Sequence, residues 1–158
     1  ALAGAEQVTA VDISKDAVAL TRRNAALNGL EHKVEAVRAD VFDLLTDLAG
    51  EKKSPYDYII LDPPAFTKSG ATVKNAFRGY KEINLKAMKL LPRGGYLATC
   101  SCSHFMTPDL FCQMLREAAA DAAVSLRQIE DRRQSPDHPI LWGVPETEYL
   151  KFYLFQII

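Results

Sequence analysis

The 158-residue chain has no apolar run approaching the roughly 18 residues that a bilayer-spanning helix needs. Its start, Ala1-Leu2-Ala3-Gly4, lacks the charged and apolar blocks of a secretory leader. Both absences point to a cytoplasmic domain with no membrane partner. Cysteine is scarce: Cys100, Cys102 and Cys112 are an odd number, which argues for free thiols rather than a disulfide framework. A basic excess is also missing. The formal charge of −1 gives no overall field of the kind that concentrates nucleic acid, and the pairs Lys52/Lys53 and Arg132/Arg133 read as solvated surface. Repeats, low-complexity tracts and interdomain linkers are absent too. What remains is a chain 48% hydrophobic and 25% charged, the composition of one domain with a substantial core.

Strand and helix patterns alternate along it. Gln7 to Ile13 is a short β-branched run, and Ser14 offers an N-cap to a helix from Lys15 to Asn28. In that helix Ala17, Leu20, Asn24 and Leu27 repeat at helical spacing, which predicts a buried stripe with Asn24 pointing inward. Lys33 to Ala39 reads as a second strand ending at Asp40, and a short helix from about Phe42 to Ala49 closes at Gly50. Tyr56 to Leu61 has the continuous apolar character of a buried parallel strand and stops at Asp62-Pro63-Pro64. Thr67 to Thr72 is polar and predicts a mobile loop. A helix with Ala76, Tyr80, Ile83, Ala87 and Leu90 inward follows, broken by Pro92-Arg93-Gly94-Gly95. Tyr96 to Ser101 is the fourth strand. Thr107-Pro108 opens a helix that buries Leu110, Met114 and Ala118. Val124 to Glu130 and Tyr149 to Ile157 are the last strands. The class is α/β, a doubly wound and mostly parallel sheet, whose chemistry gathers at the carboxyl ends of the strands.

Four of those ends carry reactive or polar groups: Asp12, Asp40, Asp62 and the Cys100/Cys102 pair. An acidic residue ending the second strand of a nucleotide-binding sheet hydrogen-bonds ribose hydroxyls, about 20 residues after a glycine-rich turn. Asp12 has that character, yet only Gly4 precedes it. Asp40 repeats the arrangement one strand later. Both also suit ordinary turns, and dehydrogenases and methyltransferases share the pattern.

Longer segments narrow the reading. Leu61-Asp62-Pro63-Pro64-Ala65-Phe66-Thr67-Lys68-Ser69, then Gly79-Tyr80-Lys81-Glu82-Ile83-Asn84, Thr99-Cys100-Ser101-Cys102-Ser103-His104, Pro136-Asp137-His138-Pro139 and Pro145-Glu146-Thr147-Glu148-Tyr149-Leu150-Lys151 stand in this order. So arranged, they resemble the family that includes the bacterial large-subunit rRNA 5-methylcytosine methyltransferases, over essentially the whole chain. The resemblance implies a Rossmann-like class I methyltransferase fold, S-adenosyl-L-methionine as methyl donor and a cytosine of 23S ribosomal RNA as acceptor. It implies that Asp12, Ile13 and Ser14 hold the cofactor ribose, Asp40 and Val41 the adenine, and Asp62 the methionine end together with the target base. Pro63, Pro64 and Phe66 fall on the substrate side. Family members carry a first strand and glycine-rich loop just before this point, after RNA-binding and linking domains. Residues 1–158 therefore read as an N-terminally truncated catalytic domain lacking that strand and loop. The sheet is then expected to have a gap between the strands ending at Asp12 and Asp62, closed by rearrangement or by another chain, a homodimer partner included.

The implied chemistry needs a thiol. C5 of cytosine is a weak nucleophile, so family enzymes add a thiolate to C6, which pushes electron density onto C5. A thiol with a pKa near 8.5 must be activated by a nearby cation, a hydrogen bond or proton transfer. On an extended strand Cys100 and Cys102 face the same side, so periodicity does not choose between them. Matched to RNA C5-methyltransferases from the Gly94-Gly95 turn, Cys102 falls where the attacking thiol belongs. Cys112, on a helix, reads as a small buried hydrophobe. Phe66 or Tyr80 could stack on an unstacked base, against the plainer alternative of core packing. A zinc site is disfavoured, since Cys100, Cys102 and His104 lack a fourth ligand. Two rivals stand beside carbon methylation. One is nitrogen methylation of adenine or guanine, against which Ala65 counts because adenine methylators place an aromatic directly after the two prolines. The other is an inactive module.

Overall fold

The computed structural model describes residues 1–49, 55–67 and 69–158. The helix stop assigned to Gly50, the Lys52/Lys53 pair and Lys68 of the polar loop lie outside the described residues. Two compact units make up the chain, Ala1–Asp47 and Leu48–Ile158.

In the first unit the β-branched run forms β1 (Val8–Asp12), which pairs in parallel with β2 (Val34–Arg38). Between them α1 (Lys15–Leu27) starts where the Ser14 side chain accepts a hydrogen bond from the Ala17 N–H. It stops at Asn28, followed by Gly29 at a φ of 66° that favours glycine. α2 (Val41–Ala49) follows β2 and crosses the division between the units. The buried side of α1 is Val18 and Ala25. Leu20 and Leu27 are 56% and 73% exposed, and Asn24 is exposed too, which overturns the stripe expected through those residues. At 100° per residue Leu20, Asn24 and Leu27 lie opposite Val18 and Ala25. Two apolar sets compete on this helix, and the one with β-branched Val18 and small Ala25 won the sheet. Val18, Ala25, Ala36 and Leu45 are the fully buried apolar residues of this unit, so its core is thin.

The second unit is a four-stranded sheet in the order β3-β4-β6-β5, built from β3 (Tyr58–Leu61), β4 (Tyr96–Ser101), β5 (Leu126–Arg132) and β6 (Lys151–Ile157). Helices α3 (Val73–Leu90) and α4 (Pro108–Ala122) supply its core with Tyr80, Ile83, Met88, Phe111 and Met114, each at most 1% exposed. The Ala76, Tyr80, Ile83, Ala87 and Leu90 stripe is buried as the spacing requires. Each large apolar side chain so buried contributes about 1.5–3 kcal/mol.

Three expectations are corrected here. The strands are not mostly parallel: β3 pairs with β4 in parallel, but β6 runs antiparallel to both β4 and β5. A parallel return needs a long crossover, usually a helix. The connection from β5 to β6 contains only a single helical turn, Pro145–Thr147. Nor is β3 buried throughout. Tyr58 and Ile60 are 45% and 67% exposed, because β3 is the edge of its sheet and is covered on one side. The described residues of the Thr67–Thr72 stretch carry local structure of their own. The Thr67 hydroxyl is 2.7 Å from that of Thr72 and donates to the Ser69 carbonyl, and Gly70–Thr72 form a helical turn. Thr67, Ser69 and Thr72 bond to one another, while Ser69 and Thr72 stay exposed.

Candidate functional site

Each unit carries part of the residues singled out in the sequence. In the first, the carboxyl ends of β1 and β2 are adjacent in register, Asp12 beside Arg38. Asp12 Oδ1 accepts the Ser14 N–H at 2.7 Å, a tight turn that exposes Ile13, and the Arg38 Nε–H donates to the Ile13 carbonyl at 3.1 Å. Two residues past β2, Asp40 Oδ1 accepts the Phe42 N–H at 2.8 Å and opens α2 ahead of the half-buried Val41. Both aspartates are exposed and spend one carboxylate oxygen on the backbone, leaving the other for a ligand. Ile13 is 64% exposed between Asp12 and Ser14. Two exposed carboxylates able to accept hydroxyl or amino protons, beside an exposed aliphatic side chain, are an acceptor set whose chemistry is compatible with a nucleoside.

In the second unit the parallel register sets Leu61 beside Thr99, which brings Asp62 level with Cys100. Asp62 is exposed, Pro63 half-buried and Pro64 exposed. Phe66 is half-buried with its ring on that of Tyr80, centroids 4.5 Å apart. Tyr80 is 0% exposed and serves the core rather than a base. Its hydroxyl also joins two loops, bonding to the Phe66 backbone and accepting from Ser101 Oγ at 3.1 Å. A second tie runs from Ser103 Oγ to the Thr67 carbonyl at 3.0 Å. The Asp62–Thr67 loop and the Cys102–Ser103 turn are therefore fastened together by buried hydroxyls, which are costly to leave unpaired and so hold the arrangement firmly.

The two cysteines differ in setting. β4 ends at Ser101, so Cys100 is the last thiol on the strand and Cys102 lies just past it, where strand alternation no longer governs its direction. Cys100 is 8% exposed; burial first, and then the charge of Asp62, push its thiol up to about 11. It is a poor nucleophile at neutral pH. Cys102 is half-buried. Cys112 is half-buried as well, not the wholly buried hydrophobe expected, and its thiol donates to the Tyr153 hydroxyl at 3.2 Å. Among the described residues no group of three His, Cys, Asp or Glu side chains converges on a metal position.

One residue of this site was given no role in the sequence reading, where it only ends a matching segment. Lys151 begins β6 opposite Ser101 and is 5% exposed, and its Nζ donates to the carbonyls of Ser103 at 2.5 Å and Tyr149 at 2.7 Å. The signal was present: Lys151 shares the buried phase of the strand with Tyr153, Phe155 and Ile157, a position where a lysine is rare unless it has work to do. The Pro136–Pro139 and Pro145–Leu150 segments belong to the connection before β6, where the Tyr149 hydroxyl lies 3.2 Å from His138 Nδ1.

A parallel start, an antiparallel last strand and acidic residues at the carboxyl ends of successive strands define a Rossmann-like methyltransferase fold. Residues 1–156 match the family model of S-adenosylmethionine-dependent methyltransferases, and the chain belongs to that family. It is 44% identical over 160 aligned residues to ribosomal RNA large subunit methyltransferase I of Klebsiella pneumoniae strain 342. That match covers 99% of this chain but only 39% of the relative. Among solved structures, SMU.776 complexed with SAH superposes with a TM-score of 0.82 at 21% identity, over 97% of this chain and 40% of that one. TrmN from Thermus thermophilus gives a TM-score of 0.62 at 22% identity, over 96% and 36%. The family's cofactor is S-adenosylmethionine. Among the described residues no helix is long and apolar enough to cross a membrane.

Proposed function

We propose that this chain is the catalytic part of a cytoplasmic rRNA methyltransferase that transfers a methyl group to C5 of a cytosine in 23S rRNA through a covalent Cys102–C6 adduct. The observation that carries the reading is the fastening of the Asp62 loop to the Cys102 turn through Tyr80, Ser101, Ser103 and Thr67. Holding the loop after Asp62 and the segment bearing Cys102 in one arrangement supports addition of a thiol to a hydrogen-bonded base. The name of the Klebsiella relative, an rRNA large subunit methyltransferase, supports the substrate class.

In this reading Asp12, Ile13 and Ser14 hold the ribose, and Asp40 and Val41 the adenine. Bound S-adenosylmethionine supplies an electrophilic methyl group. Asp62 accepts the cytosine amino group and orients the ring, while Pro63, Pro64 and Phe66 shape the slot for an unstacked base. Cys102 Sγ adds to C6, forming an S–C bond and enriching C5. C5 takes the methyl group as the sulfonium S–CH3 bond breaks and S-adenosylhomocysteine leaves; the C5 proton then passes to a base, and the S–C6 bond breaks to release the Cys102 thiolate. A strand from a second copy in a homodimer would find pairing groups at the outer edge of β3.

The test is nucleoside mass spectrometry of rRNA treated with full-length protein. Cys102→Ala abolishes 5-methylcytidine while Cys100→Ala retains it. Persistent methylation by Cys102→Ala, with the product on a ring nitrogen or amino group, would instead identify a nitrogen methyltransferase.

A further inference from the structure

Lys151 is a buried ammonium without a carboxylate: among the described residues no ion pair includes it, and its polar contacts are the Ser103 and Tyr149 carbonyls. Burying a charge in this way is expensive unless something rewards it. An ammonium has three donors, and two are spent on carbonyls. Ser103 directly follows Cys102, so Nζ is anchored on the next peptide along from the thiol. We propose that Lys151 is the positioning residue of the nucleophile: it fixes the Cys102–Ser103 turn through the Ser103 carbonyl and stands as the counter-cation of the Cys102 thiolate. The inference rests on the reading of Cys102 as the attacking thiol.

Electrostatics agree with the geometry. Burial pulls the Lys151 amine down to about 8, and the charge that pulls it back up is that of Cys102. The ionisable groups around this pair are Asp62 after β3, Tyr80 of α3, Cys100 of β4 and His104 beyond the turn, with Cys112 of α4 engaged by Tyr153 of β6. Asp62 opposes a second negative charge on Tyr80 or Cys100. Tyr80 and Cys100 are shifted upward and stay neutral at pH 7. Lys151 is thus the cation that this cluster offers among the described residues. The Cys102 proton leaves to solvent, and Lys151 keeps its own.

The experiment is alkylation of full-length protein with iodoacetamide from pH 6 to pH 10, with Cys102 followed by peptide mass spectrometry and Cys112 as the internal reference. Lys151→Met is expected to raise the midpoint of the Cys102 profile by about one pH unit, slowing its alkylation about tenfold at pH 7. Lys151→Arg is expected to keep the wild-type midpoint. A Lys151→Met midpoint equal to wild type, or a Lys151→Arg midpoint that follows Lys151→Met, overturns the proposal. Should Lys151→Met fail to fold, the reciprocal measurement decides: the Lys151 amine, titrated by NMR, has a lower midpoint in Cys102→Ser than in wild type, and equal midpoints refute the pairing. None of these readouts depends on methyl transfer. Failure of the proposed reaction would appear separately, as methylation that survives Cys102→Ala.

Discussion

Two thiols separated by one serine have opposite fates. Cys100 lies near the end of β4 and is buried, so its charged form is penalised by desolvation and again by Asp62. Its thiol stays protonated in the fold up to about 11, whereas an unfolded thiol ionises at about 8.5. Between these values the folded chain holds a proton that the unfolded chain has released. The contribution is therefore complete below the unfolded pKa and is lost as pH rises through the folded one. Lys151 acts in the opposite direction in an overlapping window, since its folded pKa of about 8 lies below the unfolded one and its burial penalty fades as pH rises. Subtracting one from the other requires a variant. Urea midpoints of wild type and Cys100→Ala, measured between pH 8 and pH 10.5, are expected to converge as pH rises, because the variant lacks the group that loses its advantage. A difference independent of pH would contradict the assignment of the buried thiol.

Among the elements, the turn before β4 is tightly specified. Gly94 has a φ of 91°, and its N–H donates to the Ile157 carbonyl at 2.7 Å, while the Gly95 carbonyl accepts from the Ile157 N–H at 2.9 Å. A Cβ on Gly95 would meet the Pro92 carbonyl oxygen at 3.0 Å and that of Asp57 at 3.2 Å, both backbone atoms with little freedom to retreat. Gly95→Ala is expected to destabilise the protein by about 1–3 kcal/mol, read as a lowered urea midpoint with unchanged slope. Helices with one apolar stripe were legible from sequence, as α3 shows by burying Ala76, Tyr80, Ile83, Ala87 and Leu90. α1 was not legible. It carries two apolar stripes on opposite sides, and spacing alone does not say which one meets a sheet. The polar Thr67–Thr72 stretch misled for a related reason, since hydroxyls that suit a solvated loop serve equally well to bond one another.

Across the whole chain the two units differ in depth. The first rests on Val18, Ala25, Ala36 and Leu45, the second on more than a dozen buried apolar side chains in contact with α3, α4 and the middle of a four-stranded sheet. Thin cores open more readily. Amides of β1 and β2 are expected to exchange with deuterium about tenfold faster or more than those of β4 and β6, a contrast that mass spectrometry of the labelled protein resolves; uniform protection would show that the units open together. By itself the sequence determined the order of the elements, the strand-ending aspartates and the pair of cysteines, because hydrophobic period, caps and turn residues act locally and leave their mark within a few positions. Only the tertiary structure decided that β6 enters antiparallel between β4 and β5, that Cys100 is sealed while Cys102 lies beyond the strand, and that Lys151 donates to the Ser103 carbonyl, 48 residues away in the chain. Those outcomes depend on desolvation and on partners distant in sequence, which no local pattern encodes.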